Sequence, residues 1–251
     1  MRPHTRDFYD APELYDLEYF DSMIEDRAWY ADLARGHDRV LELACGTGRL
    51  TLPMARTGAA IAAVDRAPAM LAALQRRLVD TPSLQVEVYQ QDFLTLDVPG
   101  TFPLAVLPFN ALQHVHRTED VVRLLERVAA HLEPGGRFAF DVVIPDPRFW
   151  ARDPNGVHEV RWYDDPRGGR MKTWENGFYD PIRQINTVRY HYRRSDRSYE
   201  VIEIAMRMFY PQELMGLVGM AGWAIEGAWG DFDRGPLKGR SGKLVMVLRR
   251  P

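Results

Sequence analysis

The chain has 251 residues, 46% hydrophobic and 27% charged, enough to bury a sizeable core as one large α/β domain or two small ones. A formal net charge of -3 argues against nonspecific binding to nucleic acid or to a membrane as the main activity. Cys45 is the single cysteine, so no intrachain disulfide forms and no zinc-type spacing exists; with no signal-peptide core and no run near the roughly 20 apolar residues of a membrane span, the expected location is the cytoplasm.

Residues 11–35 carry Leu14, Tyr15, Leu17, Tyr19, Phe20, Met23, Ile24, Trp29, Tyr30 and Leu33 at helical spacing, which predicts one or two helices before the first strand. The apolar run Val40 to Leu43 is that strand, and it breaks into Ala44-Cys45-Gly46-Thr47-Gly48. Leu50 to Ala55 then reads as a helix that Gly58 ends. A second strand spans Ala60 to Asp65, and Pro68 opens a helix through Met70, Leu71, Leu74 and Leu78 to Asp80. Leu84 to Tyr89 alternates as a third strand. Leu104 to Asn110 is a continuous apolar run, the pattern of a strand buried on both faces. Thr118 caps a helix with the stripe Val121, Leu124, Leu125, Val128 and Leu132, stopped by Pro134-Gly135-Gly136, and Arg137 to Ile144 is the fifth strand.

Alternating strands and helices predict a doubly wound, mostly parallel α/β sheet with right-handed crossovers. After Pro145 the pattern changes. His158–Trp162, Met171–Phe178, Gln184–Arg193 and Tyr199–Phe209 follow one another without a helix, an antiparallel β insertion expected to attach to the sheet. Pro211 to Gly222 is helical again, and Ala224–Trp229 with Lys243–Leu248 form a terminal antiparallel strand pair. No flexible linker interrupts the chain, so 1–251 reads as a single domain: an N-terminal helical cover (1–35), a core (36–149), the insertion (150–209) and a C-terminal helix with strands (210–251).

The strand, glycine-rich turn and helix around residues 40–55, followed by a strand ending on Asp65, suit an adenosine-containing ligand. Glycines allow backbone to approach it, and a carboxylate at the tip of the second strand reaches ribose hydroxyls. The dinucleotide fingerprint requires Gly or Ala where Thr51 stands, which disfavours an oxidoreductase.

Glu42-Leu43-Ala44-Cys45-Gly46-Thr47-Gly48, Val64-Asp65, Gln91-Asp92-Phe93, Pro108-Phe109-Asn110, Leu132-Glu133-Pro134-Gly135-Gly136 and Gly230-Asp231-Phe232-Asp233 occur in this order. Together they resemble the class I S-adenosylmethionine-dependent methyltransferases of the small-molecule type. The resemblance implies a Rossmann-like seven-stranded sheet and methyl transfer to nitrogen or oxygen of a small acceptor, with no metal; the alternative is a non-catalytic protein that kept the cofactor site. It implies cofactor contacts from the Ala44, Cys45, Gly46 and Gly48 loop, with Glu42 orienting it. Asp65 would take the ribose, and Arg66, Gln91, Asp92 and Phe93 the adenine. Phe109 and Asn110 would border the sulfonium. Ala44 replaces a usual glycine, tolerable if its φ is ordinary. Asp92 could instead simply cap its turn.

An acceptor hydroxyl benefits from a base within reach, and His114 is the candidate, with His116 facing water. Tyr9 and Tyr15 resemble the cover segment of small-molecule members, with Tyr15 a second catalytic candidate. Trp174, Arg189 and Tyr190, among the aromatic positions Trp162, Phe178, His191 and Tyr192, are candidate acceptor contacts; their alternative is packing or a homodimer face. Nucleic-acid acceptors are disfavoured because there is no basic patch and no Asn/Asp-Pro-Pro-aromatic motif.

Overall fold

The computed structural model describes residues 4–21 and 24–250. In chain order it forms β1 (His4–Asp7), α1 (Pro12–Tyr19), α2 (Ile24–Ala34), β2 (Arg39–Leu43), α3 (Thr51–Ala55), β3 (Ala60–Asp65) and α4 (Pro68–Val79). Then come β4 (Val86–Gln90), β5 (Phe102–Leu107), α5 (Thr118–His131), β6 (Leu132–Val143) and the short α6 (Pro147–Trp150). Four long strands follow, β7 (His158–Asp164), β8 (Arg170–Asp180), β9 (Ile185–Arg194) and β10 (Tyr199–Arg207), before α7 (Pro211–Met220), β11 (Ala224–Trp229) and β12 (Lys243–Arg249). The expected helical position Met23 lies outside the described residues.

Seven strands form the main sheet in the order β11-β12-β6-β5-β2-β3-β4. Only β12 runs antiparallel to its neighbours. Successive residues of a strand face opposite sides, so β2 sends Leu41 and Leu43 into one apolar layer and Val40 into the other. Helices α5 and α7 cover the first layer through Val121, Leu124, Leu214 and Val218; α2, α3 and α4 cover the second through Tyr30, Met54 and Leu74. The chain winds outward from β2 to β4 and returns on the other side of β2 as β5. This reversal leaves a crevice at the carboxyl ends of β2 and β5, where such sheets bind ligands.

Two expectations need correction. The insertion is not hydrogen-bonded to the main sheet; β7 to β10 make a second sheet, in the order β1-β10-β9-β8-β7. One edge of it is the unforeseen β1, which pairs parallel with β10 and covers a strand that would otherwise expose a row of unpaired amides and carbonyls. The N-terminal segment is therefore a strand followed by helices. Phe8 and Leu14 from this segment pack with Met171, Tyr192, Ile202 and Ile204 on the inner face of the second sheet. Burying Phe8 to 2% exposure contributes about 1.5–3 kcal/mol to that docking. Among the described residues, no helix is long and apolar enough to cross a membrane.

Candidate active site

The turn after β2 is shaped by left-handed backbone. Ala44 (φ 55°), Gly46 (55°) and Gly48 (88°) all lie there. A Cβ on Gly48 would stand 2.5 Å from Leu74 Cδ1, so glycine there lets α4 pack close, whereas the space beside Gly46 is open. The condition of an ordinary φ at Ala44 is not met; its methyl group is carried at a cost of about 1–2 kcal/mol.

Asp65 closes this turn. Its Oδ2 accepts the Gly46 N–H at 2.8 Å and its Oδ1 the Ala67 N–H at 2.8 Å. Burial raises its pKa, and those two amides oppose the rise. Glu42 lies behind the turn, 1% exposed, where it accepts the Thr51 hydroxyl at 2.6 Å; burial pushes its carboxyl up to about 8. Cys45 is also buried behind the turn, and burial pushes its thiol up.

Beyond β4, Gln91 donates to the Asp97 carbonyl and accepts the Asp97 N–H, both at 2.9 Å. Asp92 accepts the Leu94 N–H at 2.9 Å, so it does cap its turn, and it also faces the central cavity. At the end of β5, Phe109 (φ 56°) and Asn110 (φ 61°) are consecutive left-handed residues. A bulky side chain seldom adopts that conformation, which costs on the order of 1–3 kcal/mol per residue and concentrates at functional sites.

These turns and the N-terminal segment enclose a cavity of about 340 Å³. Ala44, Gly46, Asp65, Arg66, Asp92 and Phe93 from these turns line it, together with Phe8, Tyr9, Tyr15, Tyr19, Phe109, Asn110, His114, Tyr190 and Lys243. The rings interlock, with Tyr19 5.2 Å from Phe109 and Phe8 5.8 Å from Tyr190 between centroids. His114 Nε2 lies 2.6 Å from the Tyr9 hydroxyl. Burial, followed by the charges of Arg66 and His116, lowers the His114 pKa to about 4, so the imidazole is neutral near pH 7 and accepts the phenol's proton in a hydrogen bond. His116 instead turns to the Ala205 carbonyl at 3.0 Å and does not line the cavity.

Other sequence candidates stand elsewhere. Glu42, Cys45, Gly48 and Gln91 support the cavity's turns without lining it. Trp174 and Arg189 are misplaced as acceptor contacts, because alternation puts them on the outer face of the second sheet while Tyr190 faces inward. Trp174 stacks on His191 at 4.9 Å, and Arg189 pairs with Glu203 at 2.9 Å. Trp162 and Phe178 are exposed, and Tyr192 is buried in the packing beneath the cavity.

Several residues escaped the sequence reading. Arg49, 3% exposed, makes a two-pronged pair with Asp26 (2.8 and 2.6 Å), hydrogen-bonds Tyr15 and lies 4.4 Å from the Phe109 ring centre. The Tyr15 phenol is pushed up to about 12 by burial. Asp16 accepts from Thr47 Oγ1 and Arg77 Nη2, both at 2.6 Å, stapling α1 over the glycine turn. Asp141 and Lys243 meet below Asn110. A carboxylate inside the apolar run Phe138 to Ile144 was the one visible signal, since a buried charge needs partners.

The family described as a methyltransferase domain matches residues 40–136. The cypemycin N-terminal methyltransferase of a Streptomyces species is 31% identical over 255 residues, covering 96% of each chain. Among solved structures, the CcbJ methyltransferase of Streptomyces caelestis superposes with a TM-score of 0.77 at 21% identity, covering 94% of this chain and 96% of that one. The sugar N-methyltransferase KedS8 of Streptoalloteichus sp ATCC 53650 gives 0.72 at 19%, over 95% and 92%. A near-full-length relative, the sheet order and the cavity at its switch point converge: the chain belongs to the class I S-adenosylmethionine-dependent methyltransferases.

Proposed function

We propose that this enzyme methylates an amine nitrogen of a small molecule or peptide terminus, and that 1–251 works as one unit in which the N-terminal cover and the second sheet close over the core. The residues present fit S-adenosylmethionine. Gly46 leaves open the space a Cβ would fill, and Asp65 and Asp92 keep acceptor capacity, since a carboxylate offers about four lone-pair sites and each uses only part of them on backbone amides. Ala44 and Gly46 would then hold the methionyl end, Asp65 the ribose, Asp92 and Phe93 the adenine, with Arg66 beside it and Phe109 and Asn110 beside the sulfur. When bound, the cofactor supplies a methyl carbon already activated by a sulfonium.

The observation that carries the nitrogen reading is the neutral His114–Tyr9 pair in an aromatic chamber. Burial disfavours an ammonium, so it delivers an amine in its nucleophilic, uncharged form. His114 and Tyr9 then need only orient the N–H and the lone pair. A hydroxyl acceptor would need a stronger base than an imidazole with a pKa near 4. Tyr15, Tyr19 and Tyr190 line the same chamber and exclude water, which favours alignment. The names of the cypemycin N-terminal and sugar N-methyltransferases point the same way.

The test is turnover of S-adenosylmethionine with a matched panel of amino sugars, short peptides with free N-termini, and their hydroxyl counterparts, read by product mass and fragmentation. N-methylated products are expected. Methylation confined to hydroxyls would overturn the reading.

A further inference from the structure

Asp141 is fully buried in β6, yet it is held by three donors from separate parts of the chain. Its Oδ1 accepts the Tyr30 hydroxyl of α2 at 2.8 Å and the Phe109 N–H at 2.7 Å. Its Oδ2 accepts Lys243 Nζ of β12 at 3.0 Å, and the same ammonium lies 3.5 Å from Asn110 Oδ1. Lys243, Phe109 and Asn110 all line the cavity. Two features of this arrangement exceed what stability requires. Lys243 is 20% exposed, and an ion pair placed at such a boundary contributes little net stability compared with apolar packing of similar volume, so its presence calls for another role. The carboxylate also grips the one amide whose residue begins the left-handed pair, Phe109 (φ 56°) and Asn110 (φ 61°).

We infer that Asp141 is a positioning residue: with Lys243 and Tyr30 it holds the Phe109–Asn110 turn in its left-handed conformation and so sets the wall of the cavity against which the reacting sulfur lies. Without the charge-assisted bond to the Phe109 amide, the turn relaxes toward ordinary φ values. The Phe109 ring then leaves the Arg49 guanidinium, and the Asn110 amide leaves the ammonium. Misalignment of about 1 Å costs on the order of 100-fold in rate, which makes the turn a sensitive place to intervene.

This inference rests on the proposed placement of the cofactor, and the experiment separates the two. S-adenosylhomocysteine is titrated calorimetrically into wild type, Asp141→Asn and Asp65→Ala at a temperature where each is fully folded by circular dichroism. Turnover is measured with the best amine of the panel. Asp141→Asn is expected to lower kcat by about 10-fold or more, with at most about 3-fold change in the KM for S-adenosylmethionine, and to weaken the homologue's binding by no more than about 10-fold. A variant with lowered Tm but wild-type kcat and affinity has lost only stability, which would overturn the inference. If Asp65→Ala binds as wild type, the cofactor placement fails instead. Should Asp141→Asn not fold, Tyr30→Phe removes one donor and keeps the packing. A fall in kcat of about 3-fold or more at unchanged affinity supports the inference, and an unchanged kcat overturns it.

Discussion

Replacing Glu42 with glutamine should abolish a loss of stability that wild type suffers as pH rises. The Glu42 carboxyl sits 1% exposed behind the glycine turn, with the Thr51 hydroxyl at 2.6 Å, and burial raises its pKa from 4.5 to about 8. The folded state therefore holds a proton that the unfolded chain releases. Stability from this group is fully present below pH 4.5 and declines as pH rises toward 8. Linkage puts the decline at about 1 kcal/mol by pH 5 and about 3 kcal/mol by pH 7. Glutamine is isosteric with the protonated carboxyl, still accepts from Thr51 and does not titrate. Any constant offset from its buried amide cancels in a comparison between pH values. Between pH 5 and 7, Glu42→Gln should thus gain about 2 kcal/mol relative to wild type, a Tm difference of roughly 4–8 °C for a chain of this size. Urea and thermal unfolding at both pH values, in one buffer system and ionic strength, measure it. Parallel pH dependences for the two proteins would refute the reasoning, because they would show Glu42 ionised in the folded protein at its ordinary pKa.

His114 works with the opposite sign. Its folded pKa of about 4 lies below the ordinary 6.5, so its contribution is intact above pH 6.5 and is lost as pH falls toward 4, by up to about 3 kcal/mol; His114→Asn should flatten that part of the acid-unfolding curve. Asp26→Asn strips the carboxylate from a buried, two-pronged pair with Arg49 and should cost about 3–5 kcal/mol of unfolding free energy, read by denaturant titration. Asp65→Ala should weaken S-adenosylhomocysteine binding by about 1.5–3 kcal/mol, the range for hydrogen bonds to a charged group, read by calorimetry. Trp174→Ala, on the outer face of the second sheet, should leave both that affinity and kcat unchanged; a 10-fold effect on either would put its side chain back in the acceptor's path.

The residue pattern determined what depends on near neighbours in the chain. Leu104 to Leu107 announces a buried parallel strand because both faces are apolar, and Gly46, Gly48 and Asp65 after the run Val40 to Leu43 announce a ligand-binding turn because few residues permit that backbone and fewer end a strand on a carboxylate. The order of these segments is also enough to place the crevice. Alternation, by contrast, says only that Arg189 and His191 share a face opposite Tyr190. Which face meets the cavity depends on where Phe8 and Leu14 dock, a contact across some 180 residues that no local period encodes. The same holds for β1, whose strand exists because β10 offers it an edge, and for the left-handed Ala44, Phe109 and Asn110, whose conformations are imposed from outside. Asp141, Lys243 and Tyr30 lie on β6, β12 and α2, and Arg49 and Asp26 on either side of β2. Their pairing is a consequence of sheet order and helix packing, because a buried charge selects its partners by proximity in the finished fold and not by distance along the chain.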